Sequence, residues 1–145
     1  MTPAAIIERL SLLPHPEGGW FRETWRVEGA EDQRDFATGI YFLLESGHPS
    51  HWHRVDADEM WLFHAGSPLR MFGADGPDGE TVLPEVTLGA DLLAGHTPQH
   101  LFPAGRWQAA ETTGDYTLVS CIVAPGFDFA GFELAPPGWI PAALR

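Results

Sequence analysis

The sequence predicts an all-β chain, a sandwich or small barrel, with one short helix at its N-terminus. Three observations carry this. From Gly18 onward, short runs of aromatic and β-branched residues alternate with Gly, Pro and Asp turns. Helical spacing of apolar residues is confined to the start of the chain. No solenoid-period repeat and no low-complexity linker divides the 145 residues, so one domain spanning 1–145 is expected.

The helix comes first. Thr2-Pro3 pairs a side-chain cap with a proline suited to the first helical position. Ile6, Ile7, Leu10 and Leu13 then recur at helical spacing until Pro14 and Pro16 stop the run. Segment 1–14 is expected to pack on the outside of the main body. Strands are expected over 20–27, 37–44, 51–54, 59–65, 69–72, 81–88, 100–102, 108–111, 116–123 and 132–134. The run Gly73-Ala74-Asp75-Gly76-Pro77-Asp78-Gly79 is a hairpin turn region, and Gly114-Asp115 marks another. About ten short strands are the signature of a sandwich or barrel.

Charge excludes several function classes. Eight cations, all arginine, face 20 acids, for a net charge of −12. A basic face for nucleic acid is therefore not expected, nor adhesion to an anionic membrane. No apolar run approaches a membrane span, and the N-terminus lacks the basic-then-apolar pattern of a secretory signal. The single cysteine, Cys121, sits among Leu118, Val119, Ile122 and Val123. It can form no internal disulfide, and it suits a buried, inert thiol in a reducing, cytoplasmic setting.

The chemistry concentrates in the stretch 50–61, Ser-His-Trp-His-Arg-Val-Asp-Ala-Asp-Glu-Met-Trp. On a strand, residues i and i+2 share a face, so His51 and His53 are expected to project together. Glu59, six residues past His53, can return beside them on the next strand. Two imidazoles and a carboxylate can hold a metal or run acid–base chemistry. By the same parity Trp61 shares a face with Glu59, while Trp52 and His64 point away. A second region, 15–25, reads His-Pro-Glu-Gly-Gly-Trp-Phe-Arg-Glu-Thr-Trp. Gly18-Gly19 permits a tight turn into a strand that sorts Phe21, Glu23 and Trp25 to one face, and Trp20, Arg22 and Thr24 to the other.

These motifs carry a resemblance. Gly47, His51, His53, Glu59 and Gly66 are similar to the first motif of the cupin superfamily, although the spacings around His51 and His53 differ from the usual ones. Pro103-Ala104-Gly105-Arg106-Trp107-Gln108 keeps the turn of the second motif and puts Gln108 where the last metal ligand would stand. His-Pro-Glu-Gly-Gly followed by Arg-Glu-Thr closely resembles the signature of a small single-domain cupin family of unknown function, cupin 5. The blocks 38–44, 53–54, 58–61, 105–110 and 123–129 extend that likeness nearly end to end. It implies a double-stranded β-helix, the cupin jelly roll, and a homodimer covering an exposed edge. In that family's pattern His53, Glu59 and Gln108 form the core, and the position of His51 varies. Gly19-x-Phe21-x-Glu23 is also similar to a stretch of the dTDP-4-dehydrorhamnose 3,5-epimerases. Those are metal-free cupins that use a histidine base and a tyrosine acid; Gly18 stands where they have arginine.

The leading expectation is an enzyme of isomerase or epimerase type acting on a sugar-like or carbonyl compound. His53 would be the general base and Glu59 its orienting group or acid. Arg22, Glu23, Tyr41, Trp61 and Gln108 would contact substrate, with Arg22 and Gln108 as donors to a carbonyl or carboxylate. No cofactor is required in that reading. Two alternatives stand beside it. One is a divalent transition-metal cupin, of dioxygenase or lyase type, using His51, His53, Glu59 and Gln108. The other is a non-catalytic module that binds a metabolite.

Overall fold

Thr2 caps helix α1 (Pro3–Leu10), its hydroxyl accepting from the Ala5 amide at 3.2 Å. The helix ends earlier than Leu13 because Ser11 turns left-handed and its amide folds back to the Glu8 carbonyl. Leu13 and Pro14 instead form a short strand, β1 (Leu13–Pro14), against β2 (Trp20–Val27). Ile6 of the helix, with Leu12, packs on Leu43 of β3 (Ala37–Glu45).

The computed structural model describes residues 1–145. After β3 come β4 (Ser50–Val55), β5 (Asp58–Gly66), β6 (Leu69–Asp75), β7 (Thr81–Val82), β8 (Val86–Leu88), β9 (Gln99–Phe102), β10 (Trp107–Thr112), β11 (Tyr116–Ala124) and β12 (Phe132–Leu134). The run expected over 81–88 is two strands, because Pro84 has no amide to give to the ladder. One antiparallel sheet has the order β1-β2-β3-β11-β5-β9; the other is β12-β4-β10-β6-β7, with β8 also on β6. Strands distant in sequence pair across the molecule, β3 with β11 and β4 with β10, giving the expected jelly roll.

Between the sheets lies the main core of Phe42, Leu44, Trp61, Leu69, Met71 and Phe102, with smaller neighbours. β3 is buried on both faces: Phe42 and Leu44 point into the sandwich, while Leu43 and Tyr41 point to the helix. No helix is long and apolar enough to cross a membrane.

Two strand irregularities matter for the site. β4 pairs with β10 through Gln108↔His53 and Ala110↔Ser50, so β4 carries one extra residue between those pairs. β2 pairs with β3 through Glu23↔Ile40 and Trp25↔Gly39, so β2 carries one at Thr24. Each bulge reverses the facing of the residues on its far side.

Candidate functional site

At one end of the sandwich the sheets part around a cavity of about 110 Å³. Its polar end is assembled from a turn and two strands. The turn is His15-Pro16-Glu17-Gly18-Gly19. The His15 amide donates to the Gly19 carbonyl at 2.9 Å and the Gly18 amide to the His15 carbonyl at 3.1 Å. Gly18 and Gly19 both hold positive φ, +108° and +77°. A Cβ on Gly18 would collide with the Pro49 carbonyl oxygen. The His51 amide donates to the Glu17 carbonyl at 2.8 Å, fastening the turn to β4. Gly18→Ala is therefore expected to cost about 1–3 kcal/mol, read as a lowered urea midpoint. An unchanged midpoint would mean that the turn relaxes freely.

This turn delivers Glu17 into the interior, where its carboxylate meets His53 Nε2 at 2.7 Å; both side chains are almost wholly buried. His53 Nδ1–H donates to the His51 carbonyl at 2.7 Å. Both ring nitrogens are thus engaged. Burial alone would lower the pKa of His53. The charge and hydrogen bond of Glu17, and then the charge of Glu59, override it and push it up to about 9. The ring is an imidazolium at neutral pH, paired rather than free.

Glu59, on β5, is oriented from behind. The Trp61 indole N–H can only donate, and it gives its hydrogen bond to Gln108 Oε1 at 2.8 Å. That choice turns the amide nitrogen of Gln108 onto Glu59 Oε1 at 2.9 Å. Burial first, and then the negative charge of Glu17, push the Glu59 carboxyl up to about 7. The buried Cys121 thiol beside it is raised well above its ordinary value, by burial and then by Glu59, and stays protonated.

The walls are apolar: Phe21, Ile40, Val55, Val123, Phe127, Phe129 and Phe132 line them. The segment after β11 is held by the Phe127 amide donating to Thr38 Oγ1 at 3.0 Å. Glu23 and Arg26 stand at the cavity's edge, 2.6 Å apart, and Arg26 also binds Asp35 at 2.6 Å. The bulge at Thr24 is what brings Arg26 to the same face as Phe21 and Glu23.

Several expected positions differ. His51 does not project with His53. The extra residue in β4 puts His51 and Trp52 together on the outer face, where His51 Nε2 donates to the Pro136 carbonyl at 3.0 Å. Arg22 and Tyr41 face the outer side of the first sheet, the guanidinium 5.8 Å from the centre of the Tyr41 ring. Trp61 and Gln108 lie in the core behind Glu59 and do not line the cavity. His53 reaches the cavity, but its nitrogens are already occupied, which takes from it the free lone pair that a general base needs. Arg54 pairs with Glu133 and Arg106 with Asp75, both at the surface. His64 hydrogen-bonds Ser120, away from the site as expected.

The four-residue metal set of His51, His53, Glu59 and Gln108 does not converge. His51 is turned out, Gln108 has both ends of its amide engaged, and no three His, Cys, Asp or Glu groups are arranged to hold an ion. His51→Ala is accordingly expected to change stability by less than about 1.5 kcal/mol, the worth of one rim hydrogen bond. A chemical-denaturation series checks it, and a loss as large as that of His53→Ala would return His51 to the site.

Two residues escaped the sequence reading, His15 and Glu17. The turn signature contained them, but nothing local showed that the turn points inward.

A family model described as "Cupin superfamily (DUF985)" matches residues 4–135. A protein of known structure from Shewanella oneidensis is similar at 43% identity, over 93% of this chain and 85% of its own, with a TM-score of 0.85. A hypothetical protein from Leishmania major is 34% identical over 96% of this chain and 90% of its own, with a TM-score of 0.82. Oxalate decarboxylase from Bacillus subtilis shares the fold at 16% identity, over 83% of this chain and 29% of its own, with a TM-score of 0.60. No curated protein matches the chain.

Proposed function

The chain belongs to the cupin superfamily, in the family described as DUF985, and from that premise we propose that it binds a small carbonyl or sugar-like molecule in the cavity and moves a proton on it, as isomerases and epimerases do. One observation carries the reading. A carboxyl with a pKa of about 7, that of Glu59, lies at the polar end of an otherwise apolar cavity. Such a group is matched to both halves of a proton transfer at neutral pH.

In the carboxylate form, Glu59 takes the proton from a carbon next to the carbonyl. The C–H electron pair becomes the new carbon–carbon double bond, and the carbonyl pair moves onto oxygen. Return of a proton to that carbon restores the carbonyl. Gln108 and Trp61 position Glu59. Phe21, Phe127 and Phe132 give the reacting end an apolar wall.

The test is solvent exchange. Small ketones and keto-sugars incubated with the protein in D₂O should gain deuterium beside the carbonyl, seen by mass spectrometry. Glu59→Gln should abolish the gain. A compound that binds tightly and returns without deuterium would replace this reading with that of a metabolite-binding module.

The same proposal takes 1–145 as one domain, places the chain in the cytoplasm, and pairs it with a second copy of itself. Beyond its short pairing with β1, β2 is an open edge, with Trp25 48% and Val27 36% exposed and Phe36 nearby at 64%. Light scattering should give a dimer mass that Trp25→Glu reduces to a monomer. A monomeric parent protein would refute the pairing.

A further inference from the structure

His15 is unused by the chemistry above, yet its ring is held on several sides at the cavity wall. Its side chain is 6% exposed. Phe21 stands edge-on to it at 4.6 Å, Phe42 at 5.6 Å and Phe132 at 6.0 Å between ring centres. The backbone amide of Glu17 donates to His15 Nδ1 at 3.1 Å. An N–H that donates to Nδ1 leaves that nitrogen unprotonated, so in the neutral ring the hydrogen is on Nε2. Burial is the chief effect on its titration and lowers its pKa, with His53 adding to that and Glu17 opposing it.

Nε2–H has no partner in the protein. The one sealed side-chain polar atom without a partner is Ser50 Oγ, so the His15 N–H is not sealed, and the space beside it is the cavity. An N–H that opens onto an otherwise aromatic cavity offers a ligand one directed hydrogen bond.

The charges around the cavity narrow what that ligand is. The His53 cation is spent on Glu17. Arg26 is spent on Glu23 and Asp35. No cation is left for a carboxylate or phosphate, and a charged group among phenylalanines would lose its hydration for nothing. The free donor is a neutral one.

We propose that His15, as a neutral imidazole, donates the hydrogen bond that holds the carbonyl oxygen of a compact, uncharged ligand in this cavity. This rests on the reading that the cavity takes a small carbonyl compound, and it assigns the group that meets the oxygen. In the proton transfer, the same N–H would follow that oxygen from carbonyl to enolate and strengthen as charge develops there.

The test uses three five-membered probes of similar size on the full chain: cyclopentanone, cyclopentylamine and cyclopentanecarboxylate. Nitrogen-15 NMR of the histidine rings should place the His15 hydrogen on Nε2 in the free protein. Cyclopentanone should shift that resonance; the amine and the carboxylate should not. His15→Phe should weaken cyclopentanone binding about tenfold, the worth of one hydrogen bond. His15→Gln, which retains an N–H near the Nε2 position, should recover part of it.

A hydrogen found on Nδ1, or a ketone that leaves His15 undisturbed, overturns the assignment in the wild-type protein, whatever the variants do. Preferential binding of the amine or the carboxylate also overturns it. The two proposals fail separately. If His15→Phe binds ketone and exchanges deuterium like the parent, His15 is not the donor and the proton-transfer reading stands. If ketone binds through His15 but no deuterium enters, the donor stands and proton transfer falls.

Discussion

Glu17→Gln is expected to destabilise the fold by about 3–5 kcal/mol at neutral pH, the usual cost of breaking a buried ion pair from one side. The carboxylate it removes is the counter-ion of a wholly buried imidazolium 2.7 Å away. The pH dependence identifies the cause. His53 has its pKa raised from 6.5 to about 9 by folding. The folded chain therefore binds this proton more tightly than the unfolded one. The stabilisation is fully present below about 6.5 and is lost as pH rises through about 9, amounting to roughly 3 kcal/mol. Without Glu17, burial, which favours the neutral form, is opposed only by the Glu59 charge and the His51 carbonyl, and this arm of the profile should flatten. Urea unfolding of parent and variant at pH 5.5, 7.5 and 9.5 measures it. Parallel profiles would mean that the pair does not hold His53 charged.

Glu59→Gln is expected to separate stability from function. The parent carboxyl is raised from 4.5 to about 7. Its ionised form is disfavoured by the fold, so a penalty accumulates between about pH 4.5 and 7 and stays in full above that. The neutral amide escapes the penalty and can still accept from Gln108. The variant should be more stable than the parent by about 1–3 kcal/mol at pH 8, and indistinguishable or less stable at pH 4.5. Deuterium exchange should fall by about 10²–10⁴-fold, the range for losing a general acid–base group. A variant that still exchanges, or one destabilised at pH 8, would exclude Glu59 as the titrating centre. Both groups act in the same direction, so the parent should lose stability steadily from pH 5 to 9.

Much of the architecture is local and legible in the sequence. Thr2-Pro3 and the spacing of Ile6, Ile7 and Leu10 specify the helix start and its buried face. Runs such as 116–123 specify a strand by alternation alone, and Val119, Cys121 and Val123 are indeed its buried side. The helix end is harder to read, because Ser11 adopts a left-handed conformation that serine does not announce.

The site divides in the same way. Glu59 and Gln108 are expected together, and the structure brings them to 2.9 Å. His51, Arg22 and Trp25 lie elsewhere than expected, for two different reasons. For Arg22 the alternation holds, but the face it selects is the outer one, against Tyr41 and the helix. For His51 and Trp25 the alternation itself breaks, because each lies beyond a bulge, and a bulge exists only in the pairing with another strand. The inward reach of His15 and Glu17 cannot be read from a turn motif at all, since their partner His53 is on a strand that arrives later in the chain.

The family, the jelly roll, the order of the strands along the chain and the chemical groups available are all legible in the chain, because these depend on residue type and on neighbours a few positions away. Which carboxylate faces which histidine, which residues a bulge turns outward, and where the protons rest follow from the assembled fold. Register is a property of two strands, and a buried group's pKa is a sum over charges and lost hydration contributed by distant segments. That is why a histidine pair resembling a metal site became, in the fold, one outer-face histidine and one buried imidazolium held by a glutamate from an N-terminal turn.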